Sequence, residues 1–370
     1  MAIVALFVVC IAVQCGFAVF FAGRIGSLRR WEPVAYPTQP VSVVICARNE
    51  ASLLRAYLPA ILQQAYTDAS GRPNYEVVVV DDGSTDDTAS VLAELREQYA
   101  HLKYVAIPVH EARGKKNALR MGVTAAQHDM LLLTDADCRP ASPQWLALMV
   151  APLAAGRELA LGYGAYERTT DNALNSFVQW ETAHTYMQYA AYAAAGMPYM
   201  GVGRNLACTR QVLLAAMQHP IWQRLPSGDD DMLVRVAGTP TNTAVVCERD
   251  AFTYTPAKNT WGEWARQKQR HMSTGKYYKW YIKLLLGSYA ATHAGMWLGA
   301  VWLFVAGWWG YAVPVITVRM LMAYTAWDRT NKRLGQNVNF VTWLVGDIGW
   351  MMYNFALLPY ITWKNKTSWK

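Results

Sequence analysis

The sequence predicts an α/β domain built on a mostly parallel sheet, with apolar transmembrane helices before and after it. Three observations carry that prediction. Short continuous apolar runs alternate with helical patterns between residues 41 and 140. Polar residues cluster at the carboxyl ends of those runs, three times over. Apolar stretches long enough to span a bilayer, which needs about 20 residues, lie at 2–22 and beyond residue 284. Buried parallel strands read as near-continuous apolar runs, and sheets of this kind bind ligands at the carboxyl ends of their strands.

Taken in order, residues 1–23 are expected to be an uncleaved transmembrane anchor. A signal peptide fits less well, because no basic segment precedes the apolar run and Arg24, Arg29 and Arg30 follow it. Residues 24–40, punctuated by Pro33, Pro37 and Pro40, read as a linker. The run Val41–Cys46 leads through Ala47-Arg48-Asn49-Glu50 into a helical pattern at Leu53, Leu54, Leu58, Ile61 and Leu62. Tyr75–Val80 ends in Asp81-Asp82-Gly83-Ser84, and Val91–Tyr99 is helical again. Leu131-Leu132-Leu133-Thr134 stops abruptly at Asp135-Ala136-Asp137.

That last stop carries chemistry. Two carboxylates closing an apolar strand need a cation, and a divalent ion carrying a diphosphate would supply one. Mg²⁺ is usually held by one or two carboxylates together with substrate phosphates. The bland alternative is an Asp-x-Asp that merely opens a turn. A second acidic group, Asp229-Asp230-Asp231, follows Ser227-Gly228. Acids there complement a helix N-terminus, and their mutual repulsion can raise one of them toward a pKa useful for a general base.

Val41–Glu50, Asp81-Asp82-Gly83-Ser84, Gly114-Lys115-Lys116-Asn117-Ala118-Leu119, Asp135-Ala136-Asp137 and Gly228-Asp229-Asp230-Asp231 together resemble family 2 glycosyltransferases. Gln267-x-x-Arg270-His271 is similar to the Gln-x-x-Arg-Trp motif of the membrane-embedded cellulose, chitin and hyaluronan synthases. The resemblance covers roughly 38–285 and implies a GT-A fold, a Rossmann-like nucleotide-sugar-binding domain, over 41–265. It implies a divalent cation, Mg²⁺ or Mn²⁺, on Asp137 with Asp135 beside it. It implies donor contacts from Ala47, Glu50, Asp82, Lys115 and Asp135, with Asp81 structural. Asp230 would be the base, and Asp229 stands where the family has Glu. Gly203 and Asn205, in Gly201-Val202-Gly203-Arg204-Asn205, would line the acceptor side. Gln267, Arg270 and His271 would lie near the acceptor or the diphosphate. His271 replaces the family Trp, which argues against processive polymer synthesis.

The segment 266–283 is expected to be amphipathic and interfacial, since Gln267 and Arg270 share a helix face at i,i+3. Residues 284–370 are expected to hold further spans at 284–307, 308–326 and 338–363. Trp297, Trp302, Trp308, Trp309, Trp343 and Trp350 suit membrane interfaces, and Arg319 is placed at one of them. The net charge is +8, with basic residues gathered after the first span and in 266–283. That pattern puts the catalytic region on the cytoplasmic side of a membrane, a bacterial inner membrane in this reading, with lipids as neighbours. The tail lysines Lys364, Lys366 and Lys370 should also lie inside, although four spans would put them outside.

No zinc-finger spacing, RNA-binding aromatic motif or basic recognition helix points to nucleic acid. The six scattered cysteines lack metal or redox spacing. No Gly-x-Gly-x-x-Gly follows the first strand, which disfavours a dehydrogenase. The expected activity is inverting transfer of a sugar, from a UDP-sugar by preference, to a lipid-linked or glycan acceptor. The alternatives are a processive polysaccharide synthase and a non-catalytic, membrane-tethered nucleotide-binding protein.

Overall fold

The computed structural model describes residues 2–33, 39–108, 114–169, 172–225 and 228–362. Residues 34–38 of the expected linker, Ser227 and the tail lysines Lys364, Lys366 and Lys370 lie outside the described residues. The elements run α1 (Ala2–Gly26), β1 (Val41–Ala47), α2 (Ala51–Leu62), β2 (Tyr75–Asp81), α3 (Thr88–Gln98), β3 (Leu102–Ala106), α4 (Lys115–Ala125) and β4 (Met130–Asp135). Next come β5 (Arg139–Pro140), α5 (Trp145–Ala154), β6 (Leu159–Leu161), β7 (Gly164–Tyr166), α6 (Ala173–Ala194) and β8 (Leu206–Thr209). Then follow α7 (Arg210–Gln218), α8 (Pro220–Arg224), α9 (Asp229–Ala237), β9 (Thr243–Val245) and β10 (Thr253–Thr255). The chain closes with α10 (Trp261–Met272), α11 (Trp280–Val305), α12 (Trp309–Leu334) and α13 (Phe340–Thr362).

The described chain forms two compact units. The α/β unit holds residues 29–167 and 198–257. Its seven-stranded sheet has the order β3-β2-β1-β4-β8-β6-β9. Strands β3, β2, β1 and β4 are parallel, β8 runs antiparallel between β4 and β6, and β9 is parallel to β6. A smaller sheet joins β5, β10 and β7. The apolar runs form strands because every residue of β1 and β2 is buried, so neither face of the sheet meets water. Helix α4 packs directly on that sheet: a Cβ on Gly122 would come within 2.6 Å of Val44 and 3.0 Å of Val80. Asp81, Asp135 and the Ala47–Glu50 turn all fall at the carboxyl ends of β2, β4 and β1.

Among the described residues, the helical unit holds 2–28, 168–169, 172–197 and 258–362. Among the described residues, one helix is long and apolar enough to cross a membrane, Ala2–Gly26. The expected spans at 284–307, 308–326 and 338–363 need correction in that respect. Helices of spanning length form there, with 26, 26 and 23 residues, but their composition is mixed. The last turns of α12 carry Asp328, Arg329, Lys332 and Arg333, and His293, Arg319 and Asp347 lie within the three helices. The expected 266–283 segment is also redrawn. Helix α10 begins earlier, at Trp261, capped by the Thr260 hydroxyl accepting the Glu263 N–H at 3.2 Å, and α11 starts at Trp280.

Arg319 does not sit at an interface. It is 1% exposed and donates through Nη1 to Asp347 Oδ2 at 2.8 Å and through Nη2 to Gln14 Oε1 at 3.1 Å. Trp297 Nε1 donates to the same Asp347 oxygen at 3.2 Å, and His293 Nε2 lies 3.2 Å from it. The partners come from α1, α11 and α13, so no local pattern around Arg319 reveals them.

Candidate active site

The first site residues sit where β1 and β2 end. Ala47 is buried, and its carbonyl accepts the Asp82 N–H at 2.9 Å. Asn49 adopts a left-handed φ of 55°, unusual for a residue with a side chain. Its Oδ1 accepts the Thr85 N–H at 2.8 Å, and its own N–H donates to Ser84 Oγ at 2.9 Å, so the two loops are tied together. Half-buried Glu50 opens α2, and its N–H donates to Thr88 Oγ1 at 3.2 Å. Asp81 accepts Ser84 N–H at 2.8 Å and the Tyr104 hydroxyl at 3.3 Å.

Asp82 is tied to the backbone. It is 0% exposed, and both of its carboxylate oxygens take the Gly114 N–H at 3.0 Å, with Arg48 3.8 Å away. In this structure its carboxylate therefore holds the start of α4 instead of facing open solvent. Gly114 needs its own freedom there, at φ 133°.

The charged centre is built by β4, α4 and α9. Lys115 Nζ donates to Asp135 Oδ1 at 2.9 Å and lies 3.8 Å from Asp229. Lys116 turns the other way, to the Trp222 carbonyl and ring. Asp230 accepts the Gly203 N–H at Oδ2, 2.7 Å, and the Asp231 N–H at Oδ1, 3.0 Å. A Cβ on Gly203 would lie 3.3 Å from Asp230 Oδ2 and 3.5 Å from Lys115 Nζ, so glycine keeps this corner open. The structure therefore brings Lys115, Asp135, Asp229, Asp230 and Gly203 together.

Electrostatics follow from this crowding. Burial raises the Asp230 carboxyl above the usual carboxylate range, and Asp229 adds to the effect. Lys115 and the two backbone N–H groups oppose it. Burial alone would lower the Lys115 ammonium, but Asp135, Asp229 and Asp230 outweigh it and hold the group protonated. Asp137 is half-buried beside Cys138, whose thiol points to Oδ1 at 3.5 Å. Among the described residues no cluster of three His, Cys, Asp or Glu forms a metal cage. The oxygen donors at the end of β4 instead suit a hard cation that takes its remaining ligands from phosphates. Of these carboxylates, Asp135 is paired with Lys115.

Asn205 belongs to the core. It is 0% exposed, its Nδ2 donates to the carbonyls of Tyr163 at 3.0 Å and Ala251 at 2.7 Å, and its Oδ1 accepts Trp145 Nε1 at 2.9 Å. Gln267, Arg270 and His271 belong to α10 of the helical unit; the first two are half-buried and His271 is exposed. Lys268, between them in sequence, is buried against Glu181. Sequence alone does not single out Asn49, which ties the two loops, or Arg204, whose guanidinium lies over the Tyr166 ring. The only signals for them were an Asn directly after a strand and an Arg following Gly-x-Gly.

Residues 42–200 match the family model described as Glycosyl transferase family 2. The chain is 37% identical over 117 residues to a dolichyl-phosphate beta-glucosyltransferase of Drosophila melanogaster, covering 31% of this chain and 36% of that protein. It is 32% identical over 113 residues to a beta-monoglucosyldiacylglycerol synthase of Nostoc sp., covering 30% and 23%. It thus spans about a third or less of the length of these curated relatives. A mannosyltransferase from Pyrobaculum calidifontis, solved with GDP-Man and Mn²⁺, superposes with a TM-score of 0.58 at 18% identity, over 97% of each chain. Residues 42–200 therefore resemble a family 2 glycosyltransferase domain, and the fold is GT-A-like.

Proposed function

We propose that this protein is a membrane-bound, inverting glycosyltransferase that moves a sugar from a nucleotide-sugar donor to a lipid acceptor. One observation carries the reading. At the carboxyl end of the sheet Lys115 pairs with Asp135 and lies 3.8 Å from Asp229, and Asp230, a carboxylate of raised basicity, follows Asp229 and takes the Gly203 N–H. Asp230 takes the proton of the acceptor hydroxyl. Its two backbone donors fix the carboxylate and leave lone pairs for that proton. Attack in line with the departing diphosphate inverts the anomeric carbon. Lys115 holds Asp135 and keeps positive charge beside the leaving group. A divalent cation, when bound on Asp137, supplies Lewis-acid stabilisation of the leaving diphosphate.

Both curated relatives above carry a lipid in their names, which favours a lipid over a glycan acceptor. The helical unit supports a membrane setting by its inverted polarity. Leu6, Val9, Leu298, Val301, Val305, Leu321, Val341 and Val345 are exposed, whereas Gln14, His293, Arg319 and Asp347 are buried. A water-soluble bundle shows the reverse pattern, and ionisable residues within membrane helices face the bundle interior. The basic flanks favour the cytoplasmic side for the α/β unit.

The test uses full-length protein extracted from membranes in detergent, with UDP-sugars first and GDP-mannose in the same panel. We expect release of nucleoside diphosphate that depends on Mg²⁺ or Mn²⁺ and stops on chelation. Asp137→Asn should lower it by orders of magnitude without loss of fold. Full turnover in chelator, or recovery of the protein in the soluble fraction, contradicts the reading.

A further inference from the structure

Arg204 is a cation of the α/β unit that the reaction above leaves without a task. Its guanidinium lies over the Tyr166 ring, 4.4 Å from the centroid. The space it occupies exists because residue 164 is glycine: a Cβ there would come within 3.2 Å of Arg204 Nε and 3.4 Å of Cζ. The Arg204 backbone is pinned as well, its carbonyl accepting the hydroxyls of Thr134 at 2.9 Å and Thr253 at 3.1 Å. Asp135 and Asp137 act on the guanidinium through space, but among the described residues no carboxylate forms an ion pair with it. Its Nη1 is buried and makes no hydrogen bond.

A guanidinium kept partly out of water without a counter-ion is unfavourable, and stacking on one ring offsets only part of that cost. The planar fork of Arg matches a phosphate in geometry and charge. The Thr134 hydroxyl ties the Arg204 backbone to β4 one residue before Asp135, at the strand end where a leaving diphosphate would sit. We infer that Arg204, oriented by Tyr166 and Gly164, forms a phosphate-binding subsite next to the Asp135–Asp137 pair. The inference rests on the glycosyltransferase reading. The phosphate has two sources in that reaction, the donor diphosphate and the phosphate head of a lipid acceptor.

The test measures binding of UDP and GDP with Mn²⁺ by calorimetry, and binding of phosphatidylcholine vesicles containing polyprenyl phosphate. Full-length wild type is compared with Arg204→Gln, Arg204→Lys and Gly164→Ala, each checked by thermal melting. We expect Arg204→Gln to weaken one probe by about 10- to 100-fold, as for loss of a charge-assisted hydrogen bond. Arg204→Lys should be intermediate. Gly164→Ala, which displaces the fork without changing charge, should weaken the same probe. Loss confined to the nucleotides assigns the donor diphosphate, and loss confined to the vesicles assigns the acceptor phosphate. If Arg204→Gln fails to fold, Gly164→Ala decides. Wild-type affinity for both probes in folded variants overturns the subsite while leaving the glycosyltransferase reading intact. Wild type that binds neither probe overturns both.

Discussion

Asn205 and Asp230 show how little residue type alone says about role. Both are polar and both belong to motifs that resemble the same family, yet Asn205 faces the core and Asp230 takes the Gly203 N–H. The difference lies in what surrounds each. Asn205 satisfies two carbonyls and an indole N–H, from Tyr163, Ala251 and Trp145, none of them adjacent in sequence. Asn205→Ala would leave all three unpaired in a buried space. We expect it to lower stability by roughly 2–5 kcal/mol, measured by denaturant unfolding. A variant as stable as wild type would return Asn205 to the acceptor side. Asp82 teaches the same point, because its partner Gly114 is reached only through the fold. The acidic pair after β4 and the Gly-Asp-Asp-Asp turn were legible, since charges ending apolar runs stand out. Arg204 was not, because the lack of an ion-paired carboxylate beside it, among the described residues, is a property of three dimensions.

At the scale of elements, β1, β2 and β3 are tied at their buried starts by Glu76, which is 4% exposed. Glu76 accepts Ser42 Oγ at 2.6 Å and the Gln127 N–H at 2.5 Å, and pairs with Lys103 at 2.5 Å. Burial would raise its carboxyl, but Lys103, Ser42 and Gln127 outweigh it and hold it below the ordinary 4.5. A folded-state value that is depressed stabilises the fold above pH 4.5, and that contribution is lost as pH falls through the lowered value. Glu76→Gln should therefore melt lower than wild type at neutral pH, with the gap narrowing below pH 4.5. A gap independent of pH would mean that charge is not what Glu76 contributes. The parallel strands were legible because continuous apolar runs have few other uses. The antiparallel insertion of β8 between β4 and β6 was not, since short buried strands leave no mark of their partner.

Across the whole molecule, sequence placed apolar helices at both ends, but composition alone could not describe the second group. Helices α11, α12 and α13 mix lipid-like exposed faces with a buried Arg319–Asp347 pair, and averaging along the chain blurs that contrast. In the proposed reading, function is concentrated in the α/β unit, with Asp230 as base, Lys115 as cation and Asp137 as metal ligand. The central claim is that Asp230 acts on the acceptor and not on the donor. The most direct measurement compares Asp230→Asn with wild type in two ways: sugar transfer to a lipid acceptor, and donor affinity by calorimetry with Mn²⁺. The account predicts transfer reduced about 10²–10⁴-fold with donor affinity nearly unchanged. Near-normal transfer, or a loss of donor affinity as large as the loss of transfer, would contradict it.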